Sequence, residues 1–252
     1  MTHSRQRQYA RPLLSAQARR PAAIVLACAV LVLAGGAVLV HDQYADPLDR
    51  RVGMWAATRL ARHGKTLQLV SDLGEKIEVI VIVAIMVLAC LAVRRVNGAV
   101  LAAVGAPAAS VANDKVLKPL ASHLYVYATY PSGHTTSFFA LIATAGVLLA
   151  APQAGRARPA LGIAIIATAA LIGCAISLAV VAVGGHRFID TVGGAAVGIA
   201  VVLTGTFLLD LPISRSLLGF AWLTRQAPAA NTQPGGENIS PDPASSPQAP
   251  EH

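Results

Sequence analysis

Charge is scarce in this chain. Only 13% of its 252 residues are Asp, Glu, Lys or Arg, about half of the roughly 25% typical of soluble domains. Aromatic residues are thin as well, at 5%. No stacking platform for bases is visible, so the net charge of +8 does not describe a nucleic-acid-binding protein. Cys28, Cys90 and Cys174 make an odd number of cysteines, each inside an apolar run and none in a CxxC pair. They read as small core hydrophobes, with neither a disulfide framework nor a metal site. The HExxH pattern of a helical zinc site is missing too.

Apolar length is what the chain has instead. It is 55% hydrophobic, with a mean hydropathy of +0.59. Apolar runs cover Ala22–Val40, Ile77–Val93, Gly98–Ala112 continuing to Val116, Thr135–Ala151, Ala160–Val183 and Ile189–Leu211. Each is read as a crossing of the roughly 30 Å hydrocarbon core. The expected fold class is all-α, a bundle of six transmembrane helices. A cleaved signal peptide also begins basic and then apolar. Its apolar region is usually about 7–15 residues and no clear small-x-small site follows this one, so a retained first helix is expected. The expected organisation is a basic cytoplasmic tail over 1–21, a six-helix membrane domain over 22–211, and a cytoplasmic segment over 212–252. That last segment is Pro-, Ala-, Ser- and Gln-rich and reads as disordered from about residue 226. Between the first two crossings, Leu48, Val52 and Trp55 fall at helical spacing, with Arg50, Arg51, Arg59 and Arg62 on other faces. This is either a short helix lying in the interface or a loosely packed loop.

Six crossings put both ends on one side. That side holds the N-terminal arginines, Arg94-Arg95, Arg156, Arg158 and Arg215, so the positive-inside rule makes it cytoplasmic. The expectation is a multi-pass cell-membrane protein.

Three polar islands interrupt the apolar pattern. "ANDKVLKPLASH" ends the third helix and carries Asn113, Asp114, Lys115, Lys118 and His123. Tyr130–Thr136, containing Pro-Ser-Gly-His, opens the fourth. "VGGHRFIDTVGG" joins the fifth to the sixth and carries His186 and Asp190. The helix count alone places all three on the face opposite the termini, the extracytoplasmic one. Each has a plain reading: His134 as a helix end, Lys118 as a snorkelling lysine, the glycines as packing seams, His186–Asp190 as a structural pair. Chemistry joins them better. A Ser-Gly turn at a helix N-terminus makes an anion site. His186 and Asp190, four apart, share a helix face, so the carboxylate can hold the imidazole in a reactive tautomer. His134, on another helix, can protonate a leaving group, and Lys118 balances the anion's charge. Together these describe phosphoryl transfer through a phosphohistidine, without a metal. A proton-coupled carrier, a metal hydrolase and an inactive lipid-binding scaffold are the competing classes.

With Lys118 upstream, Pro131–His134 in the middle and His186-x-x-x-Asp190 downstream, the chain resembles the type 2 phosphatidic acid phosphatase superfamily of membrane lipid phosphatases. The resemblance implies His186 as nucleophile, Asp190 as its orienter and His134 as general acid, with Lys118, Ser132 and Gly133 holding the phosphate. It implies no cofactor and no metal, and a lipid phosphate substrate: polyprenyl diphosphate, phosphatidate or phosphatidylglycerol phosphate. The chain departs from the family at two arginine positions. Tyr125 and Val126 stand where the first motif has Arg-Pro, and Ala179 and Val180 where the third has Ser-Arg. Neither tyrosine nor valine binds phosphate bidentately as arginine does. His123, Lys115 or Arg187 is expected to supply the compensating charge, with His123 placed among the phosphate-binding residues.

Overall fold

The computed structural model describes residues 12–41, 47–72, 75–124, 129–151 and 159–211. Among them every regular element is a helix. In order these are α1 (Ala16–His41), α2 (Pro47–Leu60), a 3-10 turn (Ala61–His63), α3 (Gly64–Asp72), α4 (Lys76–Ala92), α5 (Val96–Val111), a π-helical segment (Ala112–Leu117), α6 (Lys118–Leu124), α7 (Gly133–Ala150), α8 (Pro159–Ala182) and α9 (Phe188–Leu209).

Five stretches are long and apolar enough to cross a membrane: α1, the continuous run from α5 through the π segment into α6, α7, α8 and α9. Their outward faces are apolar as well. Leu31, Ile163 and Leu171 each expose more than 65% of their surface, which water would penalise and lipid does not. These are the features of a multi-pass membrane protein. The sixth expected crossing is α4, whose 17 residues reach only about 26 Å at 1.5 Å per residue. It falls just short of the others by length, not by composition.

Helix α9 is the hub, packed against α7, α1 and α5. Small residues make its seam with α7. A Cβ at Gly194 would strike the Ser132 carbonyl, and one at Gly198 would stand 2.7 Å from the Ala140 nitrogen. Only hydrogen lets these backbones meet. Buried threonine hydroxyls satisfy themselves within their helices: Thr136 donates to the Ser132 carbonyl, Thr144 to Ala140 and Thr206 to Val202, each at 2.8 Å.

Three expectations change. The first helix begins at Ala16, not Ala22, and Leu13 and Leu14 are buried before it. Their N–H groups donate to the Asp210 carboxylate at 2.7 and 3.0 Å, an anchor that extends the ordered unit into the basic segment. The interval between the first two crossings, left open between helix and loop, is helical in α2 and α3, both packed on α8. Of the cysteines read as core residues, only Cys90 is buried, while Cys28 and Cys174 lie on exposed faces. A lipid-facing surface accepts the same residues as a core. Arg156, Arg158, Arg215 and the Pro-rich tail lie outside the described residues.

Candidate functional site

The three polar islands meet at one end of the bundle because backbone and side chains tie them together. The π segment gives the continuous run from α5 into α6 a wide turn just before Lys118-Pro119. Proline has no N–H to return to the preceding turn, and π turns are one way a helix absorbs such a break. Past it, Lys118 reaches α7. A Cβ at Gly133 would lie 3.5 Å from Lys118 Nζ, 3.6 Å from Asn113 Nδ2 and 3.7 Å from Asp114 Oδ1. The Ser132 N–H donates to the Asp190 carbonyl at 2.9 Å, which joins the Pro-Ser-Gly-His lip to the start of α9.

That start is held by two carboxylates. Asp190, at the third position of α9, accepts the Arg187 N–H at 3.0 Å, and Asp49 of α2 accepts the Ile189 N–H at 3.1 Å. Both satisfy N–H groups that a helix cannot pair internally. The turn before α9 bends at Gly184, whose φ of +78° is a left-handed conformation that suits glycine. His186 follows. Its Nδ1 is buried and faces Asp190 Oδ2 at 3.5 Å, long for a hydrogen bond because that oxygen already accepts from Arg187. Asp190 is fully buried.

A cavity of about 460 Å³ collects several of the candidate side chains. Lys118, Gly133, His134 and His186 line its polar end together with Asp114 and Glu75. Val79, Ile80 and Val83 of α4 and Pro107 of α5 form its apolar wall. Two basic side chains are paired with carboxylates: Lys118 Nζ donates to Asp114 Oδ1 at 2.8 Å, and His134 Nε2 lies 3.1 Å from Glu75 Oε1. Among the described residues no three His, Cys, Asp or Glu side chains are grouped as a metal would need.

Of the expected site residues, Lys118, Gly133, His134 and His186 share this cavity, with Asp190 behind His186. Ser132 stands at the N-cap position of α7 without capping it. It is fully buried, its hydroxyl accepts from Thr135 Oγ1 at 3.3 Å, and it does not line the cavity. His123 lies on α6, but its side chain is outside the described residues, as are Tyr125 and Val126. Ala179 and Val180, at the second arginine position, are buried in α8, where a guanidinium has no place.

Four residues gain a part the sequence did not assign. Asn113 and Asp114 were visible in the first island without a role. The i, i+4 spacing of Asp114 and Lys118, the same as that of His186 and Asp190, was the available signal. Asp49 and Glu75 gave none, since their partners are 140 and 59 residues away. Comparison of the chain with protein-family models, with curated proteins and with solved structures finds no match.

Proposed function

We propose that the chain is an integral-membrane phosphatase that hydrolyses a lipid phosphate or diphosphate through a phosphohistidine. The observation that carries this reading is one cavity lined by Lys118, two histidines and the mouth of α7 together with apolar side chains of α4, the mixture of surfaces a phosphorylated lipid would need. His186 Nε2 attacks phosphorus, and a P–N bond forms as the P–O bond to the lipid breaks. His134 gives its proton to the departing oxygen. Water then attacks the phosphohistidine, passing a proton back to His134, and inorganic phosphate leaves as the P–N bond breaks. Lys118 and the first N–H groups of α7 stabilise the charge on the transferring group.

The six-crossing plan of the type 2 phosphatidic acid phosphatase superfamily belongs to the same proposal. Two observations support counting α4 as a crossing. Glu75, just before it, meets His134 at the start of α7, and Arg95, just after it, donates to the Leu148 carbonyl near the end of α7 at 3.0 Å. In addition, α1 begins beside the end of α9, where Leu13 meets Asp210, which supports an even number of crossings from one to the other. The basic end then lies in the cytoplasm and the cavity on the outer face.

A second reading has one observation in its favour. The pairs His134–Glu75 and His186–Asp190 border a single cavity, as the titratable groups of a proton-coupled carrier do. Phosphate release by the protein in maltoside micelles separates the two. Phosphatidate, a polyprenyl diphosphate and phosphatidylglycerol phosphate are each supplied with and without EDTA. The expected result is release from at least one lipid, unaffected by EDTA and blocked by vanadate. Release that EDTA abolishes and a divalent ion restores would assign the chemistry to a metal. No release from any of the three would overturn the phosphatase reading.

A further inference from the structure

Asp114 Oδ1 occupies an unusual position for a carboxylate in a phosphate site. It accepts from Asn113 Nδ2 at 3.0 Å and from Lys118 Nζ at 2.8 Å, and it lies beside Gly133 at the mouth of α7. Those are the donors a phosphate oxygen needs: an amide, an ammonium and a helix N-terminus. The amide is held in a donating orientation. Turning it over would bring Asn113 Oδ1 against a carboxylate oxygen, and Oδ1 instead lies 3.4 Å from Thr136 Oγ1. Asn113 is completely buried, whereas the Asp114 side chain is 46% exposed and lines the cavity. The carboxylate can therefore swing outward, while the amide behind it stays in place.

We propose, resting on the phosphatase reading, that Asn113 is a phosphate-binding residue and that Asp114 is an intramolecular competitor that makes the site selective for terminal phosphates. A phosphomonoester carries a charge of about −1.5 to −2 near neutral pH and offers three oxygens to Lys118, Asn113 and the α7 N-terminus. It displaces a singly charged carboxylate. A phosphodiester carries no more charge than Asp114 and has two of its oxygens esterified, so it gains nothing by the exchange. The membrane around the site is made of phosphodiester head groups at high local concentration. A built-in carboxylate excludes them and admits the rarer monoester or diphosphate, which is specificity obtained by penalising the wrong ligand. Asn113 also supplies a neutral donor in a chain whose family-motif arginine positions hold no arginine.

The test is calorimetric titration of the full chain in maltoside micelles with inorganic phosphate and with dimethyl phosphate. Wild-type protein should bind phosphate and give no signal with dimethyl phosphate. Asp114→Asn and Asp114→Ala, at a half-exposed position that tolerates either, should bind phosphate about tenfold more tightly and acquire measurable affinity for dimethyl phosphate. Asn113→Ala should weaken phosphate binding by a similar factor; because Asn113 is buried, its thermal unfolding is recorded alongside, and the Asp114 variants decide the matter if it fails to fold. Unchanged or weaker phosphate binding in both Asp114 variants would overturn the proposal and make the aspartate a support for Lys118. If the wild type releases phosphate from a lipid and is vanadate-sensitive, that result removes the competitor alone. If no form of the protein binds phosphate and no lipid is hydrolysed, the phosphatase reading falls and takes this inference with it.

Discussion

In the proposed chemistry His186 is the nucleophile and Asp190 its partner, and their environments differ. The aspartate is wholly buried, its Oδ2 accepting the Arg187 N–H and lying 3.5 Å from the imidazole Nδ1, while the histidine reaches the cavity. Replacing His186 with Ala removes the nucleophile, so phosphate release should fall below detection. Asp190→Asn keeps an acceptor for Arg187 but loses the charge that fixes the imidazole, and should lower turnover by about 10²- to 10⁴-fold with measurable activity left. Rates of phosphate release from micellar lipid check both; equal losses, or full activity in His186→Ala, would remove the nucleophile assignment. The sequence made this pair legible because four residues on a helix is a fixed distance. It left Glu75 and Asp49 invisible, since each acts on a residue far away in the chain. It also suggested Ser132 as a helix cap, and no side-chain cap hydrogen bond is present there.

At the level of elements, apolar runs located the long helices to within a few residues, because a membrane-spanning stretch needs little more than length and composition. Which face of each helix turns inward was not legible. Lipid and core accept the same side chains, so Cys28 and Cys174 carried no mark of their outward position. Glycine carries such a mark where backbones touch. Gly198 lies where an added methyl group would stand 2.7 Å from the Ala140 nitrogen, whereas at Gly205, on the same helix, its nearest neighbour would be Leu101 Cδ1 at 3.8 Å. Gly198→Ala should therefore destabilise the protein by about 1–3 kcal/mol through overpacking. Gly205→Ala should be neutral or stabilising by up to about 1 kcal/mol, from helix propensity. Thermal unfolding of the two variants in maltoside reads the difference. Because the seam sets where Ser132 meets Asp190, the Gly198 variant should also lose activity, and the Gly205 variant should not. Similar midpoints for both would show that α7 and α9 are not locked by close contact.

For the molecule as a whole, the cavity end and the end where Asp210 holds the start of α1 are separated by the length of α9, whose 22 residues extend about 33 Å. Asp210 fastens the start of α1 at one end; Asp190 and Asp49 fasten the turn carrying His186 at the other. This polarity turns the topological reading into a measurement. In a background lacking Cys28, Cys90 and Cys174, single cysteines are placed at Thr129 and Gly185, both exposed at the site end, and at Arg94, exposed in the turn after α4. An impermeant thiol reagent should label Thr129→Cys and Gly185→Cys in intact cells, and Arg94→Cys only after the cells are opened. Labelling of Arg94→Cys from outside together with the other two would mean that α4 does not cross, ending the six-crossing plan. Labelling of Thr129→Cys and Gly185→Cys from opposite sides would separate His134 from His186 and break the cavity on which the chemistry depends. Protection of both until lysis, with Arg94→Cys reactive outside, would keep the site intact and turn it inward, so that the phosphorylated lipid would be drawn from the cytoplasmic leaflet, where the positive-inside rule would have failed for this chain.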